Sequence, residues 1–326
     1  MRRERLESEA RALAALKHFS GSVLVAEGNS TLLDASFGLA DSVSGEANTT
    51  STKFRIGSIT KQFTAVLIEL LREEGTLRLT DPVSKYIQGS PVAWAGVTIH
   101  QALNHTSGIA DFTDDPRFEQ WSSTTRTPAE TIAFFRERPL EFPSGSKFQY
   151  SNSNYILLGG VVETASGRRF GDLLREKLLI PLRMIDSGLD EGDQLDLTRR
   201  AKGHVLTNGA LRPSLSPVSA AWAAGGMYST TGDLLRWVQG LFGLRVVSDE
   251  SLRQMTGAGR IDYAYGFALS VFQGELLVWH DGSIDGFSAY LSYLPARGIT
   301  VIILSNVEND EVVDSMHSGL LAVARE

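Results

Sequence analysis

Ser58-Ile59-Thr60-Lys61 places a hydroxyl and an amine three residues apart. On a helix that spacing brings both side chains to one face, a single turn apart. Serine is a weak nucleophile and needs a base. Lysine serves once burial and the positive end of the helix dipole lower its pKa. The backbone N–H groups at the same helix start can stabilise an oxyanion. The plain alternative is an N-cap serine with Lys61 solvated on the outer face. Ser144-Gly145-Ser146-Lys147 has the same spacing but lies in a Pro-Gly loop, with no helix to orient its lysine.

Two further spacings complete a set. Tyr150-Ser151-Asn152 is the chain's only Y-x-N. A phenol beside a lysine ammonium is expected to have a lowered pKa and to relay a proton. Asn152 offers a donor and an acceptor to a substrate amide. His280-Asp281-Gly282 ends a strand-like run, and Gly282 would let a ligand approach the backbone closely. Each has a bland counterpart, a loop-anchoring tyrosine and a satisfied histidine at a strand end. His317-Ser318-Gly319 repeats the last spacing but falls in a helical stretch. His18, His100, His105 and His204 are scattered without metal-ligand spacing, so no metal is expected. There is no G-x-x-x-x-G-K-[ST] loop, no strand–G-x-G-x-x-G–helix unit and no G-x-S-x-G elbow.

The elements around these residues follow from periodicity. Residues 4–19 have a helical rhythm, and two strand-like runs flank Glu27-Gly28-Asn29-Ser30 as a hairpin. A short strand at 53–56 runs into Ser58, and Ile59, Phe63, Val66, Leu67, Leu70 and Leu71 form one helical stripe closed by Gly75. Residues 76–215 read as helices and loops, with helices at 97–103, 128–138, 154–166 and 169–179. After a helix near 231–242, strand-like runs return at 265–272, 275–280, 287–294 and 299–305, before a closing helix near 310–325. Strands at both chain ends and helices between them predict one antiparallel sheet built from both termini, with a helical insertion. The expected division is an α/β domain of 1–77 and 216–326 and a helical domain of 78–215. A cleft between such lobes is a common site for a small molecule.

Composition excludes other classes. Hydrophobic residues make up 42% and charged residues 21%, an ordinary globular balance. A net charge of −7 gives no basic footprint for nucleic acid. The absence of cysteine removes disulfides, thiolate metal sites and a cysteine nucleophile. No run approaches the roughly 18 apolar residues of a membrane span. The basic start Met1-Arg2-Arg3-Glu4-Arg5 is followed by Glu7, Glu9 and Arg11 rather than an apolar stretch. That reads as no secretory signal and a cytoplasmic protein; removal of a leader would instead imply a periplasmic or extracellular one.

S-x-x-K, then Y-x-N about ninety residues on, then H-x-G in a late strand, resembles the serine penicillin-recognising hydrolases. Within them the chain is similar to the class C β-lactamase superfamily, with its D-alanyl-D-alanine carboxypeptidases, D-aminopeptidases and β-lactamase-like carboxylesterases. Phe19 to Ala40, Glu74 to Val83, Leu103-Asn104-His105-Thr106-Ser107-Gly108 and Ala224 to Thr230 carry the likeness across nearly the whole chain. The resemblance implies a β-lactamase/transpeptidase-like fold, Ser58 as acylated nucleophile, Lys61 as base and Tyr150 as proton relay. It implies Asn152 for the substrate amide, His280 where lysine often stands, and an oxyanion hole from the backbone N–H groups of Ser58 and Ser283. It also places Phe112, Trp121, Trp222 and Tyr228 near the cleft, their alternative being core packing. No cofactor is implied.

His280-Asp281-Gly282 departs from the K-T-G of class C β-lactamases, which counts against efficient β-lactam turnover. Three functions remain open. The first is a penicillin-binding-protein-like peptidase or amidase on D-amino-acid peptides, whose carboxypeptidase form needs a cation from His280 or Arg260. The second is a carboxylesterase on short acyl esters. The third is a catalytically silent binding module. The expected partner is a small-molecule ester, amide or peptide; loops around 110–125 and 205–222 would choose among them. Sequence does not give the oligomeric state.

Overall fold

The computed structural model describes residues 1–17, 19–191, 198–207, 210–214, 217–257 and 263–326. Its main sheet has six strands: β1 (Gly21–Glu27), β2 (Ser30–Phe37), β3 (Ala268–Phe272), β4 (Glu275–Ile284), β5 (Phe287–Leu294) and β6 (Ile299–Ser305). The order is β3-β4-β5-β6-β1-β2, with every neighbouring pair antiparallel. The two chain ends therefore meet in the middle of the sheet, where Gly21 pairs with Ser305 and Glu27 with Ile299. The hairpin turn falls at Gly28-Asn29, where Gly28 adopts a φ of +55°.

Period-two alternation gives each strand two apolar faces. Val23, Val25, Val301 and Ile303 pack with Leu6, Ala10, Met316 and Leu320 of helices α1 (Arg2–Lys17) and α4 (Asp310–Arg325). Leu24, Ala26, Ile302 and Leu304 face the opposite way, into a larger core. That core holds Phe63, Val66 and Leu67 of α2 (Thr60–Glu73) and Tyr155, Leu158 and Val162 of α3 (Asn152–Ser166). In β4, Val278 joins this second core while Leu277 joins the first. The same alternation turns His280 and Gly282 toward α2; a one-residue slip would turn them away.

The stretch expected to hold helices and loops also has extended segments. Gly188–Leu189 pairs with Met227–Ser229, and His204–Thr207 pairs with Ala210–Pro213 and, through its first residues, with Val307–Glu308. One apolar core runs from the sheet through α2 into Ile99, Phe135 and Leu174 of the middle stretch. Among the described residues no helix is long and apolar enough to cross a membrane.

Candidate active site

The turn that carries Ser58 is held from two sides. Phe54–Arg55 pairs with Met227–Ser229, and Ile56 N–H donates to the Met227 carbonyl at 3.0 Å. Gly57 then takes a φ of +48°, a left-handed turn that favours glycine. Ser58 therefore sits in a 3-10 turn, Gly57–Ile59, and the α-helix expected to begin at Ser58 starts at Thr60. Gly282 of β4 lies against this turn so closely that a Cβ on it would stand 2.1 Å from the Ile56 carbonyl oxygen and 3.1 Å from Ser58 N. A Cβ on Gly57 would meet Ser283 N at 3.0 Å. Two glycines thus let the Ser58 and Ser283 backbones approach each other, beside the hydroxyl.

Lys61 is fully buried on the first turn of α2. Its Nζ donates to Ser58 Oγ at 2.9 Å, to Asn152 Oδ1 at 2.8 Å and to the Ala224 carbonyl at 2.8 Å. Burial lowers its pKa from 10.5 to about 7, against the opposing charges of Asp111 and Asp281. Tyr150 donates its hydroxyl to Ser58 Oγ at 3.0 Å. Its pKa is raised, not lowered as the sequence suggested: burial disfavours the phenolate, and Asp281 and Asp111 add to that, against the hydrogen bond with Ser58. Serine, amine and phenol form one hydrogen-bonded trio.

Asn152 lies at the start of α3 with its polar atoms turned to the protein. Its Nδ2 and backbone N–H both donate to Asp111 Oδ2, at 3.0 and 2.9 Å, which leaves Oδ1 for Lys61. His280 is buried beside the trio, its ring 6.3 Å from that of Tyr150. Its Nε2 meets the Tyr263 hydroxyl at 2.9 Å and its Nδ1 the Asp281 carbonyl at 2.6 Å. Burial, with Lys61 nearby, lowers its pKa to about 4 in spite of Asp281. His280 is therefore neutral at pH 7 and supplies no fixed cation. Asp281 itself is exposed. Arg260, the other candidate cation, lies outside the described residues.

A pocket of about 240 Å³ opens over Ser58. Gly57, Asn152 and Ser283 line it, with an apolar wall of Phe112, Phe118, Pro217, Val218 and Ile284. Asp285 and Glu308 add carboxylates, and among its described lining residues there is no lysine or arginine. Trp222, expected at the substrate site, is not in this wall. Its ring is buried against Phe170 at 5.3 Å and over Gly159, whose missing side chain makes room for the indole. Trp121 instead stacks on Phe134 at 4.3 Å, and Tyr228 lines a separate cavity of about 410 Å³. Among the described residues no three His, Asp or Glu side chains are gathered to hold a metal.

Sequence reasoning missed Asp111, Tyr263 and the Ala224 carbonyl, and gave His105 no role. The one available signal was that Asp111 closely follows the His105-Thr106-Ser107-Gly108 stretch.

A sequence profile described as Beta-lactamase matches residues 6–325. The chain belongs to the Beta-lactamase family. It is 29% identical to penicillin-binding protein 4* of Bacillus subtilis (strain 168), over 95% of this chain and 73% of that one. The octameric penicillin-binding protein homologue from Pyrococcus abyssi superposes with a TM-score of 0.85 at 29% identity, covering 98% of this chain and 77% of the other. D-amino acid amidase from Ochrobactrum anthropi SV3 shares the fold, with a TM-score of 0.87 at 24% identity over 98% of each chain. This Beta-lactamase family member is a serine hydrolase with a β-lactamase/transpeptidase-like fold. That displaces the reading as a silent binding module.

Proposed function

We propose that this hydrolase is a penicillin-binding-protein-like amidase or peptidase acting on D-amino-acid-containing peptides or amides through an ester on Ser58. One observation carries the reading: a fully buried lysine, lowered to about 7, hydrogen-bonded to the hydroxyl of Ser58. Neutral Lys61 takes the Ser58 proton as Oγ attacks the substrate carbonyl. The developing oxyanion faces the backbone N–H groups of Ser58 and Ser283. The C–N bond breaks as Tyr150 gives its proton to the leaving nitrogen and is reprotonated from Lys61. Water then attacks the Ser58 ester, losing its proton to the same pair, and the acid leaves with Ser58 restored.

The relatives named as penicillin-binding proteins support the peptide side of this reading. Charge narrows it further. A substrate carboxylate would meet Asp285, Glu308 and a neutral His280, without a lysine or arginine among the described lining residues. An uncharged amide, or a residue with a free amine, suits this lining better than a free C-terminus. The apolar wall around Phe112 and Phe118 favours short acyl esters as a second reading.

The test compares four substrates: a D-phenylalanine amide, its N-acetyl form, a peptide ending in D-Ala-D-Ala and p-nitrophenyl butyrate. We expect the amide with a free amine to exceed the carboxylate-ended peptide by at least about tenfold in kcat/KM, some 1.4 kcal/mol. Faster release from the D-Ala-D-Ala peptide, abolished in Arg260→Ala, would overturn the charge argument and assign the missing cation. Turnover of the ester alone would establish the esterase reading in its place.

A further inference from the structure

The stretch Leu103 to Gly108 has no part in the acyl-transfer steps above, yet it lies against the catalytic tyrosine. The helix Ile99–Leu103 ends at Asn104, and His105 then adopts a φ of +57°. That conformation is uncommon for a residue with a Cβ and persists where its surroundings enforce it. It directs both the carbonyl and the ring of His105 at residues 149–151. The carbonyl accepts from Gln149 N–H at 2.9 Å, and Nδ1 accepts from Ser151 N–H at 3.1 Å. The imidazole lies on the Tyr150 ring at 4.3 Å between centroids, tilted by 33°. Both neighbours of Tyr150 and its aromatic face are thus fastened to one residue.

We propose that His105 is the positioning residue of Tyr150, a neutral clamp that holds the phenol hydroxyl on Ser58 and exchanges no proton itself. The proposal rests on the acyl-transfer reading of Ser58. Three observations support it. Ser151 N–H can only donate, so Nδ1 must present its lone pair and the ring hydrogen belongs on Nε2. Nε2 is buried without a hydrogen-bond partner among the described residues, and the ring is enclosed by Tyr155 at 5.2 Å and Tyr263 at 4.7 Å. Burial, with Lys61 and His280 nearby, drives the protonated ring far out of reach at neutral pH, although the bond from Ser151 opposes this in direction.

The clamp extends along the loop. Ser107 Oγ donates to Asn154 Oδ1 at 2.5 Å, Ser153 Oγ donates to the Ala110 carbonyl at 2.7 Å, and Asp111 holds Asn152. The loop therefore sets the register of the Tyr150–Asn154 stretch residue by residue. A tyrosine hydroxyl stands far from its own Cα, so a tilt of about 10° displaces it on the order of 1 Å. A misplacement of that size costs about a hundredfold in rate.

The experiment uses His105→Phe, which keeps a ring on Tyr150 but gives Ser151 N–H no acceptor. With p-nitrophenyl butyrate as probe, we expect kcat per folded enzyme to fall about 10- to 100-fold, KM to stay within about threefold, and the acidic limb of the pH profile to remain. In a Tyr150→Phe background the same change should cost less than about twofold more, because both act through one hydroxyl. Nitrogen-15 NMR of the wild-type chain should show His105 as the Nε2–H tautomer, without titration from pH 5 to 9. A lower melting temperature with unchanged kcat, additive losses in the double variant, or a protonated Nδ1 would each overturn the proposal. Persistent turnover in Ser58→Ala would overturn the acyl-transfer reading instead, and the NMR result would still decide the state of His105.

Discussion

Lys61 makes a prediction with two independent readouts. Its folded pKa is about 7, whereas in the unfolded chain it returns to the ordinary 10.5. Between those values the unfolded chain holds a proton that the folded one has released. Stability must therefore rise with pH across that window. Each pH unit of separation is worth about 1.4 kcal/mol. Burying Lys61 thus costs on the order of 4 kcal/mol at pH 7 and about 2 kcal/mol at pH 9. Lys61→Met removes the titration while keeping an unbranched chain in the space. It also leaves Asn152 Oδ1 and the Ala224 carbonyl without their donor, a cost that does not change with pH. Urea unfolding of both proteins at pH 7 and pH 9 isolates the titration: the wild type should gain about 2 kcal/mol relative to Lys61→Met between the two. In the active protein, kcat/KM should rise about tenfold per pH unit below 7 and level off above it. A stability difference independent of pH, with a limb set near 10 rather than 7, would refute the assignment of Lys61 as a neutral base.

Two further substitutions test the geometry around the trio. Gly282→Ala puts a methyl 2.1 Å from the Ile56 carbonyl oxygen, so β4 must retreat from the Ser58 turn. We expect a folded protein by circular dichroism with at least about a hundredfold loss of kcat, the scale of a lost oxyanion donor; activity within about twofold of wild type would show that the close approach is not used. Asp111→Asn removes a charge that holds the Lys61 pKa up and disturbs the two bonds that orient Asn152. The acidic limb of the pH–rate profile should move below 7 while kcat falls by about tenfold, and a limb that moves upward would contradict the electrostatic argument.

The parts of the site that could be read from sequence are those set by local periodicity. Ser58 and Lys61 lie one turn apart at a helix start, and that pair could be told from Ser144 and Lys147 because only it was expected in an amphipathic helix. In the structure Ser144 bonds Gln101 and Lys147 reaches Gln149, so the second pair never meets. The late strand was also legible as an apolar run ending near His280, although it continues through Gly282 to Ile284 in the structure. What sequence could not convey was burial. The argument for an acidic Tyr150 assumed a fully charged lysine beside it, but the burial that raises the phenol also brings Lys61 to about 7, so much of that charge is gone at neutral pH. Nor could spacing reveal Asp111 or His105 as anchors, because their partners lie some forty residues further on and meet them only through tertiary packing. Trp222 failed for the opposite reason: the slot for its ring is made by Gly159, a residue with no chemical signal of its own.

A common principle links these groups. Tyr150, His280 and His105 are all held uncharged at neutral pH, and Lys61 is poised at its own midpoint. Desolvation sets each of them, and the carboxylates Asp111 and Asp281 temper it for Lys61. Such a site starts its reaction without an ion pair to dismantle, and the charge that appears in the transition state is the one the backbone N–H groups can meet. A bound neutral amide would bring no charge to the fully buried Lys61 and would keep its free-base form available. A bound carboxylate would do the reverse, since a negative charge beside Lys61 favours its protonated form. On the proposed mechanism an acidic group near the amine would switch off the base that must activate Ser58, so the same burial would also discriminate between substrates.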